Sequence, residues 1–153
     1  MTAWTTRLDS LGIVLPTPAK PVGAYVPAVR TGSYVYTSGQ LPFVEGRLTA
    51  PGKVGDDVTL EQANAAARLA GLNALAAVHD LVGIDSVVRI VKVVGFVASA
   101  AGFTEQPRVL NGASELMGEI FGEAGVHARS AVGVAELPLG SSVEVEIIVE
   151  VQG

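Results

Sequence analysis

A chain of 153 residues is a common size for one domain and long enough to bury a real core. Apolar residues at 49% against 16% charged, with a mean hydropathy of +0.45, exclude a disordered chain and leave charge too sparse for a well-solvated monomer, which predicts self-association. A net charge of −5 without a Lys/Arg cluster argues against a nucleic-acid groove, and the lack of cysteine excludes disulfides, thiolate nucleophiles and Cys-ligated zinc.

Residues 1–22 mix polar residues with Pro16, Pro18 and Pro21 and read as an extended arm. The opening "MTAWTTRLDS" has no apolar leader core, and no run approaches 18 uncharged apolar residues, so a cytoplasmic protein without a membrane partner is expected. In "YVPAVRTGSYVYTSG" two β-rich runs, 25–30 and 33–38, form a hairpin around Thr31-Gly32 that Gly39 closes. Gly, Pro and charge in 41–57 predict a long loop with at most one short strand.

From Thr59 the period changes. Thr59-x-x-Gln62 is a capping-box signature, and Leu60, Ala63, Ala67, Ala70, Ala74, Val78 and Leu81 recur at helical spacing up to Gly83. The run "DSVVRIVKVVGFVAS" (85–99) is apolar at both parities, as expected of a central strand covered on both faces. Thr104 is the expected cap of a second helix with Pro107 in its first turn, buried through Val109, Leu110, Ala113, Leu116, Met117, Ile120 and Phe121. Two last strands, 128–135 and 143–151, are expected to pair across "LPLGSS". In the second, Val143, Val145, Ile147, Val149 and Val151 alternate with Glu144, Glu146 and Glu150. The order β-β-(β)-α-β-α-β-β predicts an α/β (α+β) sandwich: two helices on one face of a mixed sheet, the other face left for association.

Little in the chain suits nucleophilic or metal chemistry. There are two histidines, His79 near a helix end and His127 before a strand, and no G-x-S-x-G elbow; both histidines read as structural or surface residues. Arg129 is different, because it sits among small apolar residues in "HARSAVGVAELPLGSSVEVE", where a guanidinium needs an anionic partner. Spacing alone favours a structural pairing with Glu144 or Glu146. The alternative is an arginine fork that holds a substrate carboxylate while a nearby glutamate relays a proton.

The stretches "GAYVPAVRTGSYVYTSGQLP" and "HARSAVGVAELPLGSSVEVE" resemble the Rid superfamily, the reactive intermediate deaminases also called the YjgF family and often labelled L-PSP endoribonuclease or translation inhibitor. The resemblance covers about residues 20–152. It implies a chorismate-mutase-like fold and a homotrimer with ligand clefts between protomers, requiring neither metal nor cofactor. It also implies hydrolysis of 2-imino or enamino acids to 2-keto acids and ammonia. The family's carboxylate-clamping arginine falls on Arg129, its Gly-x-Tyr tyrosine on Tyr25, and its Ser-Gly-Gln motif on Ser38, Gly39 and Gln40. The glutamate six residues after its Leu-Pro falls on Glu144, where it would hold or polarise water. Two departures stand out: Ala131 occupies a position where deaminases commonly carry cysteine, and Ser114 one where they often carry an aromatic. Together with the long arm they leave room for a non-catalytic trimer that binds a small carboxylate metabolite, and ribonuclease activity fits the charge poorly.

Overall fold

The computed structural model describes residues 3–21 and 23–153. Its main sheet holds β1 (Ala28–Thr31), β2 (Tyr34–Thr37), β5 (Val87–Ala98), β6 (Ala128–Val134) and β7 (Val143–Val151), in the order β1-β2-β7-β5-β6. Only β5 and β6 run parallel. A small ribbon, β3 (Phe43–Val44) with β4 (Arg47–Leu48), stands apart, and the helices are α1 (Trp4–Leu11), α2 (Leu60–Val82) and α3 (Gln106–Phe121). The mixed sheet with α2 and α3 on one face is the architecture the periodicities predict.

Side-chain alternation fixes which face is covered. The odd residues of β7 from Val143 to Val151 are buried against the helices, and Glu144, Glu146, Ile148 and Glu150 point to the other side, only half-covered. Each fully buried Leu, Ile or Val contributes on the order of 1.5–3 kcal/mol. Helix α2 starts on the expected capping box: Gln62 N–H donates to Thr59 Oγ1 at 3.1 Å, and Thr59 N–H to Gln62 Oε1 at 2.9 Å. Its small residues let α3 come close. A Cβ on Gly112 of α3 would strike the Asn64 carbonyl of α2, so glycine sets the helix separation there.

Four expectations need correction. The strands 128–135 and 143–151 do not pair with each other, because β5 lies between them, joined to β6 through Val93–Arg129 and to β7 through Val93–Ile147. Helix α3 returns the chain to its starting direction, so β6 joins the free edge of β5 in parallel; the 3-10 turn Pro138–Gly140 then carries the chain across to the opposite edge.

The first residues are not extended. Trp4, Leu8 and Leu11 form an apolar side of α1, with Trp4 Nε1 donating to the Val87 carbonyl at 2.8 Å and its ring edge-on to Phe121. Ala3 at the N-cap has no side chain to offer, and Asp85 supplies the cap from afar: Thr5 N–H and Oγ1 donate to its two carboxylate oxygens, both at 2.9 Å. Those bonds, the backbone one foremost, hold the Asp85 carboxyl below the ordinary aspartate range. The prolines act only downstream of Gly12, which ends the helix at φ +67°.

The 41–57 loop carries two short strands rather than one, turned on Glu45-Gly46 with φ of +49° and +77°, the signature of a type I′ hairpin. Thr104 does not cap α3, whose N-cap is Glu105 with no side-chain cap bond; Pro107 does lie in the first turn. Among the described residues, no helix is long and apolar enough to cross a membrane.

Candidate functional site

The edge strand β6 presents Arg129 and Ala131 to the α3 side of the sheet, in register with the helix-facing Val93 and Gly95 of β5. Glycine at position 95 is what admits Leu110 of α3, since a Cβ there would overlap the Leu110 side chain. Helix and strand are thereby close enough for polar residues on the flank of α3 to reach the guanidinium. Arg129 Nη1 donates to Asn111 Oδ1 at 2.9 Å and to Ser114 Oγ at 3.1 Å.

Both partners are neutral. Among the described residues Arg129 makes no ion pair, and Nε and Nη2 donate to nothing. The structural pairing with Glu144 or Glu146 that spacing favours is therefore absent, because β5 stands between the strands. A half-buried cation with two anchored bonds and an unused edge is a preformed fork for a planar anion such as a carboxylate.

Ser114 is itself held. Its Oγ lies 2.9 Å from His127 Nε2, and His127 Nδ1 lies 2.6 Å from the Gly125 carbonyl. Asn111, Ser114 and His127 are the residues that sequence reasoning passed over as site members. The available signal was a polar pair three residues apart on α3, flanking an otherwise apolar stripe.

A second cluster forms at the other side of the sheet. Ser38 follows β2 and folds back on the segment before β1, with Oγ donating to the Val26 carbonyl at 2.6 Å and N–H to Pro27 at 2.8 Å. Tyr25, one residue before that anchor, is exposed with its ring beside Gly23. Gln40 then pairs with Val145 of β7 through backbone bonds of 2.8 and 3.0 Å, which lays Gly39 on the Glu144 side chain. A Cβ at residue 39 would overlap the Glu144 carboxylate, so the middle residue of Ser38-Gly39-Gln40 must be glycine for that carboxylate to sit where it does.

Glu144 belongs to the open face, opposite Phe96 of β5. Burial raises its carboxyl above the ordinary glutamate range, and repulsion from Glu146 adds to the rise. Within one chain, then, Tyr25, Ser38, Gly39 and Glu144 gather at one place, and Arg129 with Ala131 at another.

Comparison with known proteins places these residues in context. Residues 5–151 match the family model described as "YjgF/chorismate mutase-like, putative endoribonuclease". The chain is 44% identical to protein TCP17 of Trypanosoma cruzi over 94% of this chain and 91% of that one. It is 30% identical to a 2-iminobutanoate/2-iminopropanoate deaminase of Dermatophagoides farinae, over 92% and 95% respectively. A crystal structure titled a "putative endoribonuclease" from Shewanella oneidensis superposes with a TM-score of 0.94 at 36% identity, covering 98% of this chain and all of that one.

Proposed function

The chain belongs to the YjgF/chorismate mutase-like family, which includes Rid deaminases, and from that premise we propose that it hydrolyses 2-imino acids to 2-keto acids and ammonia at a cleft shared by two copies of the chain. The observation that carries the reading is the Arg129 guanidinium, half-buried between neutral anchors with its Nε and Nη2 edge unused. In this reading the edge takes the carboxylate of the substrate in a bidentate grip and fixes the imine carbon beside it.

The rest of the chemistry is modest, because an imine carbon is already electrophilic. Water adds to carbon, both of its protons pass in turn to nitrogen, and the C–N bond breaks to release ammonia and leave the keto group. Glu144 suits the proton transfers, since a raised pKa brings a carboxylate closer to neutral pH, where a group that must both take and give a proton works best. Tyr25 and Ser38 shape the wall opposite the clamp, and Gly39 leaves the Glu144 carboxylate its space.

A cleft between chains supplies what one chain separates. The half-covered sheet face, with Tyr34, Tyr36 and Val132 exposed, is the apolar surface for that association, and a homotrimer is the assembly we propose. A second reading, a trimer that binds a small carboxylate without turning it over, is favoured by Ala131, whose methyl group offers no polar atom beside the clamp.

The deciding experiment generates imines in situ from several amino acids with an amino-acid oxidase and follows keto-acid release. Acceleration over the uncatalysed rate is expected. No acceleration with any side chain, together with thermal stabilisation by keto acids, would establish the binding reading instead.

A further inference from the structure

We propose that Ser114 and His127 are positioning residues of this clamp: they orient Arg129 through one hydroxyl, and His127 decides whether that hydroxyl also faces the bound carboxylate. The inference rests on the reading of Arg129 as a carboxylate clamp and concerns how that clamp is set.

The direction of each hydrogen bond follows from what the groups can do. A carbonyl only accepts, so the 2.6 Å contact with Gly125 requires the proton on His127 Nδ1. In the neutral ring Nε2 is then an acceptor, and the 2.9 Å contact draws in the Ser114 hydroxyl proton. Ser114 Oγ keeps its lone pairs for Arg129 Nη1 at 3.1 Å. The chain of donors runs from Arg129 to Ser114 to His127 to Gly125, and no member has a choice.

Protonation of His127 breaks that order at one point. Nε2 becomes a donor, Ser114 Oγ accepts from both His127 and Arg129, and its own proton is released to turn toward an anion oxygen at the Nη2 end of the guanidinium. An anion there then gains a third donor. The charged groups on the elements packed around the ring are Arg129 on β6, Arg89 and Lys92 on β5, Arg108, Glu115 and Glu119 on α3, and Glu123 in the turn before it. None of these carboxylates lies within 4.0 Å of His127, and Arg89 reaches only the preceding carbonyl, Val126, at 3.0 Å. An anion on Arg129 is thus the negative charge that the imidazolium would meet, and binding and protonation favour each other.

The test is pyruvate binding to the full assembled chain by calorimetry between pH 5.5 and 8.5. Pyruvate stays ionised over that range. Glu144 is common to the wild type and Ser114→Ala, so the difference between their pH slopes reports His127. Wild-type affinity is expected to rise as the pH falls. Ser114→Ala should bind about tenfold more weakly at pH 5.5, with the difference narrowing toward pH 8.5, as expected for one charge-assisted hydrogen bond. Ser114→Thr should restore the slope, and His127→Gln should flatten it.

Loss of binding in Arg129→Ala with a Ser114→Ala curve that follows the wild type at every pH would overturn this inference and leave the clamp standing. A uniform loss in Ser114→Ala, equal at all pH values, would overturn the part given to His127. Unchanged affinity in Arg129→Ala would overturn the clamp itself. If Ser114→Ala does not assemble, His127→Gln decides alone, and a slope like that of the wild type overturns the proposal.

Discussion

Arg129 and Glu144 stand on opposite faces of one sheet, with β5 between their strands. The register sets them two strands and three residues apart, about 14 Å along the sheet by ordinary strand spacing. A single chain cannot bring both to one small substrate. Arg129→Ala and Glu144→Gln should each be inactive alone, yet co-refolding the two in equal amounts should restore imine hydrolysis at about a quarter of the clefts in a ring of identical contacts. Keto-acid release from the mixture measures this, and a mixture as inactive as its parents would place the whole site in one chain.

Gly39 makes a sharper test of the second cluster. Gly39→Ala puts a methyl group where the Glu144 carboxylate lies, so the carboxylate must move while Arg129, on the other face, stays as it was. Stability should fall by about 1–3 kcal/mol, the usual cost of an extra methylene in a filled space. Keto-acid turnover should fall at least about tenfold with pyruvate affinity retained, a split that kinetics and calorimetry resolve together.

The raised pKa of Glu144 has a defined sign for stability. The folded state binds its proton more tightly than the unfolded chain, so the ionised carboxylate weighs against folding, and stability is lost as the pH rises through the folded pKa. Glu144→Gln should therefore match the wild type at the lower edge of the glutamate range and become the more stable protein toward pH 8. Urea midpoints at fixed protein concentration measure the gap, and a gap that closes with rising pH would contradict the assignment.

Asp85 has the opposite sign. Its folded pKa is lowered by the Thr5 backbone N–H, so its contribution is present above the ordinary aspartate range and is lost as the pH falls through the folded value. Because the group is exposed, Asp85→Ala should cost only a few tenths to about 1 kcal/mol at pH 7. The loss should show as fraying of α1, read from faster amide exchange over Trp4–Leu11, and should shrink in acid.

What the sequence made legible was local. Thr59 and Gln62 announce a helix because both ends of the capping box lie within four residues, and the Val/Glu alternation of 143–151 states its own buried face. The motifs around Ser38 and Arg129 likewise sit on contiguous residues. What escaped depends on residues far apart. The cap of α1 is Asp85, 80 positions from Thr5, and the prolines after it made the whole arm look extended. Spacing puts the partner of Arg129 on the following strand, because nothing in a periodicity tells which strand is inserted between two others.

The same strand order bears on how the molecule is made. β7 follows every other strand in the chain yet lies between β2 and β5, and its pairing with β2 joins residues more than 110 positions apart, such as Val35 and Val149. Until it is synthesised, the hairpin at one side and the β5-α3-β6 unit at the other each present a naked apolar edge. Such a sheet closes late and all at once, a long-range step that is slow and open to misassociation while it waits. On the ribosome, the two halves would wait for β7 as their keystone.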